Sequence, residues 1–291
     1  MENAIKIQNL TKKYGRARGI EDINLEIEKG IVYGFIGPNG AGKSTTIKCI
    51  MNMIQKNSGE IYVGGEIVGN KNYNIKEKIG YLPSEIHLYE DLTVEKMFKY
   101  SASFYKKDCS KKIEKLVKKL DIDISKKIDE LSLGNLKKVG IVLALMHDPS
   151  FIIMDEATSG LDPLMQEVFY GILEEEKKNG KTIFFSSHVL SEVKRICDKV
   201  AIIKEGKIIE INDITNLANS NFVKIKIESD KIDEIEKELI IEKIIKKEND
   251  MIEFLYSGDI NEIVTILGKY KVSKLLIQDL DIENIFMHYY E

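Results

Sequence analysis

Short apolar runs and helical patterns alternate along the first two thirds of the chain. Between 88 and 148 the apolar positions recur three and four residues apart, as at Val94, Met97 and Phe98, which is the period of an amphipathic helix. Strand-like apolar runs occupy 23–27, 31–36, 151–154, 182–186 and 200–204. Strands that alternate with helices are typical of layered α/β folds, so the pattern predicts an α/β core with a helical insertion.

A second pattern begins near residue 215. Val223, Ile225 and Ile227 alternate with polar residues, which predicts a strand. The segments after it predict a helix, two strands, a helix and a strand, an order of βαββαβ that is ferredoxin-like. A last helix is expected over 281–290. We therefore predict a first domain over 1–215, with a helical subdomain at about 86–148, and a small α+β domain over 216–291.

The composition narrows the class of protein. With 43% hydrophobic residues among 291, the chain can form a sizeable core, and its apolar runs are shorter than the roughly 18 residues of a membrane span. A net charge of −4 does not indicate the basic surface that nucleic-acid-binding proteins carry. Met1 to Ala4 lacks the stretches of a signal peptide, and the cysteines lack zinc-site spacing, so we expect a cytoplasmic protein. We interpret as solvated surface the lysine-rich face that holds Lys111, Lys112, Lys115, Lys118 and Lys119.

A glycine-rich loop follows the strand predicted at 31–36. Residues 37–45 read GPNGAGKST and match every fixed position of the phosphate-binding loop GxxxxGK[ST]. Small residues let successive backbone N–H groups surround phosphates, and the dipole of the following helix adds positive potential. Lys43 is expected to reach the β- and γ-phosphates and Ser44 to ligate Mg²⁺. Against the alternative of a plain glycine-rich turn, we predict a nucleoside triphosphate site at Gly37, Pro38, Asn39, Gly40, Ala41, Gly42, Lys43, Ser44 and Thr45.

Two carboxylates follow another predicted strand. Residues 151–156 read FIIMDE, which is a Walker B pattern. A buried parallel strand in this type of fold ends beside the phosphate loop. Asp155 is therefore expected to hold Mg²⁺, and Glu156 to accept a proton from an attacking water. Taken alone, the pair is also compatible with an ordinary strand end.

Four further motifs make the chain resemble the ATP-binding-cassette (ABC) ATPases, the motor subunits of ABC transporters. Residues 131–135 read LSLGN at the place of the family's signature LSGGQ, and 159–162 read SGLD at the place of its D-loop. Residues 186–188 (SSH) look like the switch histidine segment, and 10–15 (LTKKYG) look like the aromatic loop. The resemblance covers about 5–211 in the family's order and implies a P-loop NTPase core of the ABC type that binds and hydrolyses ATP.

The resemblance implies a role for each motif. It implies a head-to-tail dimer, either a homodimer or a heterodimer with a second ABC ATPase, in which Ser132 and Gly134 of one subunit cover the ATP bound by the other. It also implies that His188 contacts the γ-phosphate, that Asp162 links the two sites, and that Tyr14 stacks on adenine. The alternatives are a turn aromatic at Tyr14, a helix cap at Ser132 and a strand-end histidine at His188.

The motifs depart from the family's pattern in two places. Leu133 and Asn135 stand where the signature has glycine and glutamine, and we expect Leu133 to keep an ordinary backbone because leucine disfavours positive φ. Ser84 stands at the position of the family's Q-loop glutamine, and Glu85 follows it. We expect Glu85 to replace the glutamine in part, as a ligand of Mg²⁺ or of its water.

The resemblance also implies a partner and a location. The helical insertion and the segment at 84–85 are expected to receive an integral membrane permease subunit, which places the chain on the inner face of the cell membrane. The C-terminal unit and the ending 285–290 resemble appendices of bacterial ABC subunits of the ABC-2 drug- or peptide-export type. The alternative is a soluble ABC ATPase that acts on ribosomes, DNA or cluster assembly. Such proteins on nucleic acid typically carry two cassettes, long coiled coils or basic tails.

Overall fold

The computed structural model describes residues 3–15, 17–69, 72–214, 223–256 and 258–279. The chain divides into two compact units, Met1–Ile214 and Thr215–Glu291. The helix predicted over 281–290 and the ending 285–290 lie outside the described residues. No helix in the described ranges is both long and apolar enough to cross a membrane.

A six-stranded sheet forms the centre of the first unit, in the order β10-β9-β3-β8-β7-β6. Its strands are β3 (Val32–Ile36), β6 (Ile79–Leu82), β7 (Phe151–Asp155), β8 (Thr182–Ser187), β9 (Lys199–Lys204) and β10 (Lys207–Asp213). All neighbours pair in parallel except β10, which is antiparallel to β9. β3, β7 and β8 are buried along their whole length, because layers cover both faces of such a sheet. Their carboxyl ends therefore meet at one edge.

A four-stranded antiparallel sheet, in the order β2-β1-β4-β5, lies beside the first. Its strands are β1 (Asn3–Tyr14), β2 (Ala17–Glu28), β4 (Ser58–Val63) and β5 (Glu66–Ile67). One apolar cluster joins the two sheets, and it includes Ile7, Ile61, Ile153, Phe184 and Ile203. The antiparallel sheet thus shares its core with the strands that carry the candidate site.

Helices cover the central sheet and form the predicted insertion. They are α1 (Lys43–Ile50), α2 (Val94–Ala102), α3 (Ser110–Leu120), α4 (Leu133–Leu145), α5 (Pro163–Lys178) and α6 (Leu190–Ile196), with 3-10 turns at Tyr73–Lys78 and Ile128–Glu130. α4 begins where the Ser132 hydroxyl accepts a hydrogen bond from the Asn135 N–H at 3.3 Å. Leu133 is its first helical residue and has no positive φ, as expected.

The lysine-rich face of α3 is largely exposed, as expected, and three of its lysines also pair with carboxylates of α5. Lys112 pairs with the buried Glu176 of α5, and Lys115 and Lys119 both pair with Glu175. The hydrogen bonds from these two lysines lower the pKa of Glu175 to about 2. The helical period placed these lysines correctly on one face, but only the packing of α5 against that face gave them carboxylate partners.

The described part of the second unit contains the six elements of the βαββαβ order that its sequence pattern predicted. They are β11 (Val223–Glu228), α7 (Ile232–Glu238), β12 (Lys243–Glu248), β13 (Met251–Tyr256), α8 (Ile260–Leu267) and β14 (Lys274–Asp279). The sheet is antiparallel throughout, in the order β12-β13-β11-β14. Its own apolar core includes Ile225, Ile235, Phe254 and Ile263. The last strand that the pattern predicts is β14.

Candidate functional site

The loop between β3 and α1 needs its glycines. Gly40 and Gly42 have φ of 78° and 113°, which side chains rarely adopt. A Cβ on Gly37 would lie 2.3 Å from the carbonyl oxygen of Ile203, so a larger residue there would push β9 away. No side chain caps the first turn of α1, since Gly42 stands at the cap position. The backbone N–H groups of that turn are therefore available to an anion.

Lys43 lies buried beneath this loop. Its Nζ donates hydrogen bonds to the carbonyl oxygens of Gly37 at 2.7 Å and Pro38 at 3.2 Å, and it lies 3.5 Å from Oε1 of Glu156. Burial lowers the pKa of Lys43, and the charge of Glu156 opposes that effect. The ammonium group thus contacts two carbonyl oxygens and one carboxylate, and the oxygens of a bound phosphate can replace these partners.

Asp155 ends β7 with only 1% of its surface exposed. Its Oδ1 accepts a 2.6 Å hydrogen bond from the Ser186 hydroxyl of β8. Its Oδ2 is buried and has no hydrogen-bond partner among the described residues. A buried carboxylate oxygen without a partner is costly, and a cation would satisfy it.

Glu156 comes directly after β7 and has a left-handed backbone, with φ of 49°. Its N–H donates to the Ser186 carbonyl at 3.2 Å, which ties the turn to β8. Its side chain then points between two cationic or titratable groups, because Oε1 lies 3.5 Å from Lys43 Nζ and 3.3 Å from His188 Nδ1. The structure therefore brings together the three residues expected to act in catalysis.

His188 follows the last residue of β8 and remains 47% exposed. The turn that carries His188 is fixed by a hydrogen bond, in which the Ser187 hydroxyl donates to the buried Glu192 carboxylate at 2.6 Å. The Thr158 hydroxyl donates to the same carboxylate at 2.5 Å. Glu192 therefore connects the turn of His188 to the turn that follows Glu156.

A cavity of about 580 Å³ opens above the phosphate loop. Its lining includes the loop from Asn39 to Thr45, together with Ser84, Glu85 and Glu156. Glu85 is 87% exposed on its side chain, with a carboxylate oxygen 3.8 Å from Nε2 of His87.

Arg18 and Gly19 also line this cavity, and the sequence interpretation missed both. The available signal was the rarity of arginine and the position of Arg18 four residues after the aromatic residue Tyr14. Tyr14 itself is not among the lining residues, and its ring lies 5.1 Å from Nζ of Lys12.

The signature residues and Asp162 lie elsewhere in the chain. Ser132, Gly134 and Asp162 do not line the cavity. Asp162 caps α5 by accepting a 3.0 Å hydrogen bond from the Met165 N–H. Gly134 approaches the D-loop so closely that a Cβ on it would lie 2.7 Å from the Gly160 carbonyl oxygen. Within one chain, these residues therefore form a separate surface that leaves the phosphate loop open.

Comparisons with known proteins agree with this architecture. The ABC transporter family model matches residues 20–159. An uncharacterized ABC transporter ATP-binding protein of Methanocaldococcus jannaschii is 35% identical over 263 residues, which cover 87% of this chain and 95% of the relative. The bacitracin transport ATP-binding protein of Bacillus licheniformis is 35% identical over 225 residues, or 76% of this chain and 73% of the relative. A solved ATP-binding subunit of an ABC transporter superposes with a TM-score of 0.70 at 28% identity, covering 74% of this chain and 91% of that one.

Proposed function

This chain belongs to the ABC transporter family as an ATP-binding, ATP-hydrolysing motor subunit, and from that premise we propose how its residues perform the reaction. The observation that carries the proposal is the position of the Glu156 carboxylate, 3.5 Å from Lys43 Nζ and 3.3 Å from His188 Nδ1. A base between two groups that can contact a γ-phosphate is placed to act on a water attacking that phosphate.

Each of these residues has one task in the proposal. Lys43 leaves the loop carbonyls and neutralises charge on the β- and γ-phosphates. Glu156 orients the attacking water and accepts its proton. His188 contacts the γ-phosphate and supports the charge that develops on it. The backbone N–H groups of 37–45 bind the phosphates at the start of α1.

The residues present fit a Mg²⁺ ion that accompanies ATP. The buried, unpartnered Oδ2 of Asp155 and the hydroxyl of Ser44 in the cavity lining are the oxygen ligands that this ion prefers. When bound, Mg²⁺ neutralises charge on the β- and γ-phosphates. Glu85 lines the same cavity, and we propose it as a ligand of the ion or of its water in place of the missing glutamine.

We propose that a second cassette completes the site. Ser132 and Gly134 do not line their own chain's cavity, yet Ser132 caps a helix start that favours an anion. A head-to-tail dimer would place this helix start over the γ-phosphate bound by the other subunit, with Asp162 between the two sites. Tyr14 would stack on the adenine.

Disulfide crosslinking tests this geometry. Both chains carry Glu156→Gln, so that ATP stays uncleaved. One chain also carries Asn39→Cys and the other Ser132→Cys. In the control, Ser110→Cys at the exposed start of α3 replaces Ser132→Cys. The native cysteines are buried, so they do not compete. We expect a crosslinked dimer that requires MgATP and Ser132→Cys. Equal crosslinking with Ser110→Cys, or none with Ser132→Cys, would refute the head-to-tail arrangement.

We further propose that the helical subdomain binds an integral membrane permease on the inner face of the membrane. Three exposed aromatic rings stack edge to face there: Tyr89 lies 5.5 Å from Tyr100, and Tyr100 lies 5.1 Å from Phe104. Exposed aromatic clusters are typical of binding surfaces. A Tyr100→Glu variant should keep its ATPase activity in solution and fail to co-purify with membranes solubilised in detergent. Co-sedimentation with ribosomes instead would favour the soluble alternative.

We also propose a substrate class and a domain type. Because one relative is a bacitracin transport protein, we propose export of a peptide or drug of that kind.

The βαββαβ order and the strand order β12-β13-β11-β14 support a ferredoxin-like domain in the second unit, which we propose as a regulatory or dimer-stabilising module.

A further inference from the structure

Lys137 is a buried cation beside the catalytic residues. It lies in the second turn of α4 with 2% of its surface exposed. Its Nζ faces three backbone carbonyl oxygens, at 3.0 Å from Ser84, 3.3 Å from Glu156 and 3.5 Å from Pro83. An ammonium group has three hydrogen atoms to donate, so these acceptors match its full capacity.

Burying this ammonium group works against folding. Burial lowers the pKa of Lys137, while the charges of Asp155 and Glu156 favour its protonated form. An apolar side chain of similar length would fill the same space without that desolvation cost, but it would leave the three carbonyl oxygens without this donor. The position therefore indicates a task other than packing.

The carbonyl groups that Lys137 binds belong to the two segments expected to act on the water and the metal. Glu156 has the positive φ of 49°, which a non-glycine residue keeps only when its neighbours hold it. Its N–H is held by Ser186, and its carbonyl group by Lys137. The Ser84 carbonyl group, on the segment that carries Glu85, is held by the same ammonium group.

We propose that Lys137 is a positioning residue for ATP hydrolysis, whose ammonium group fixes the backbone of Glu156 and of Ser84 and so ties both to the signature helix α4. Ser132 caps the same helix. If α4 rotates when Ser132 contacts the nucleotide bound by the other subunit, the Lys137 ammonium group moves with it and shifts the Glu156 backbone of its own chain. The inference rests on the proposed role of Glu156 as the base.

The test compares Lys137→Met with Lys138→Met in the full chain. Methionine keeps the length of the side chain but removes its charge and donors, and Lys138 is the next residue on α4 and makes none of the three hydrogen bonds. We expect Lys137→Met to fold and to keep KM for ATP within about threefold, but to lose about 10- to 10²-fold in kcat, which is part of the roughly 10²- to 10⁴-fold that a general base contributes. Lys138→Met should hydrolyse ATP like the wild type.

A double-mutant cycle separates positioning from general structural damage. If Lys137 acts through Glu156, adding Lys137→Met to Glu156→Gln should slow single-turnover hydrolysis by less than twofold more, because the effects of coupled residues do not add. Full additivity, a wild-type kcat in Lys137→Met, or a joint loss of folding and ATP binding would each overturn the inference. A wild-type rate in Glu156→Gln would instead overturn the proposed base.

Discussion

Replacing Glu156 by glutamine separates binding from hydrolysis. Glutamine keeps the size of the side chain and its reach toward Lys43 and His188, which lie 3.5 Å and 3.3 Å from the carboxylate, but it accepts no proton. Loss of a general base costs roughly 10²- to 10⁴-fold in rate, or about 3–5 kcal/mol in the activation barrier. Because the change also removes a negative charge from beside the phosphate site, ATP affinity should not fall.

Asp155→Asn is the matched comparison. Asparagine retains an oxygen that can accept from the Ser186 hydroxyl, but it places an N–H₂ group where the buried, unpartnered Oδ2 lies. A donor group there opposes a cation, so MgATP affinity should fall at least roughly tenfold, as it does when partners of metal ligands are lost. Loss of the Glu156 carboxylate should therefore impair hydrolysis, whereas loss of the Asp155 carboxylate should impair binding of MgATP.

The assay measures single-turnover hydrolysis, MgATP binding and oligomeric state by size-exclusion chromatography with light scattering. Glu156→Gln should bind ATP, hold it uncleaved, and accumulate as a dimer at tens of micromolar protein. Adding Ser132→Arg should disperse that dimer, because a bulky charge would occupy the surface that covers the partner's nucleotide. Wild-type hydrolysis in Glu156→Gln would refute the base assignment, and a monomer with bound ATP would refute the shared site.

Further changes test other parts of the structure. Lys43→Ala should weaken ATP binding and abolish hydrolysis in a folded chain, and near-wild-type steady-state ATPase activity would contradict its role. Glu85→Ala should lower ATPase activity more than Ser84→Ala, and the reverse order would exclude Glu85 as the substitute for glutamine. A chain that ends before Asn221 should remain soluble and bind ATP, whereas aggregation without binding would mean that the two units share a core. Glu175→Gln should lower the free energy of unfolding by about 1 kcal/mol at pH 7. Since the folded-state pKa of Glu175 is lowered to about 2, this difference should shrink as pH falls from about 4.5 towards 2, and urea titrations that show a constant difference would contradict it.

The phosphate loop could be predicted from the sequence because its chemistry is local. Glycine at positive φ, a lysine and a helix start lie within the nine residues 37–45, so one motif specifies both the backbone and the ligand. The order of elements in the second unit was equally predictable, since strands and amphipathic helices differ in period. In the first unit the pattern predicted β2, β3, β7, β8 and β9 but missed β1, β4, β5, β6 and β10. The pairing of the α3 lysines with Glu175 and Glu176 could not be predicted, because periodicity identifies a face of a helix but not what packs against it.

Sequence alone therefore determined the class of fold, the phosphate loop and the carboxylates at the end of β7. Only the tertiary structure placed Oε1 of Glu156 3.5 Å from Lys43 Nζ and 3.3 Å from His188 Nδ1, because parallel strands far apart in sequence end at one edge of the sheet. It also placed Arg18 in the lining of the cavity and Lys137 beside the Glu156 backbone, positions that no motif marks. Their positions depend on which backbone segments pack around them, and packing between distant segments is the property that local sequence patterns do not encode.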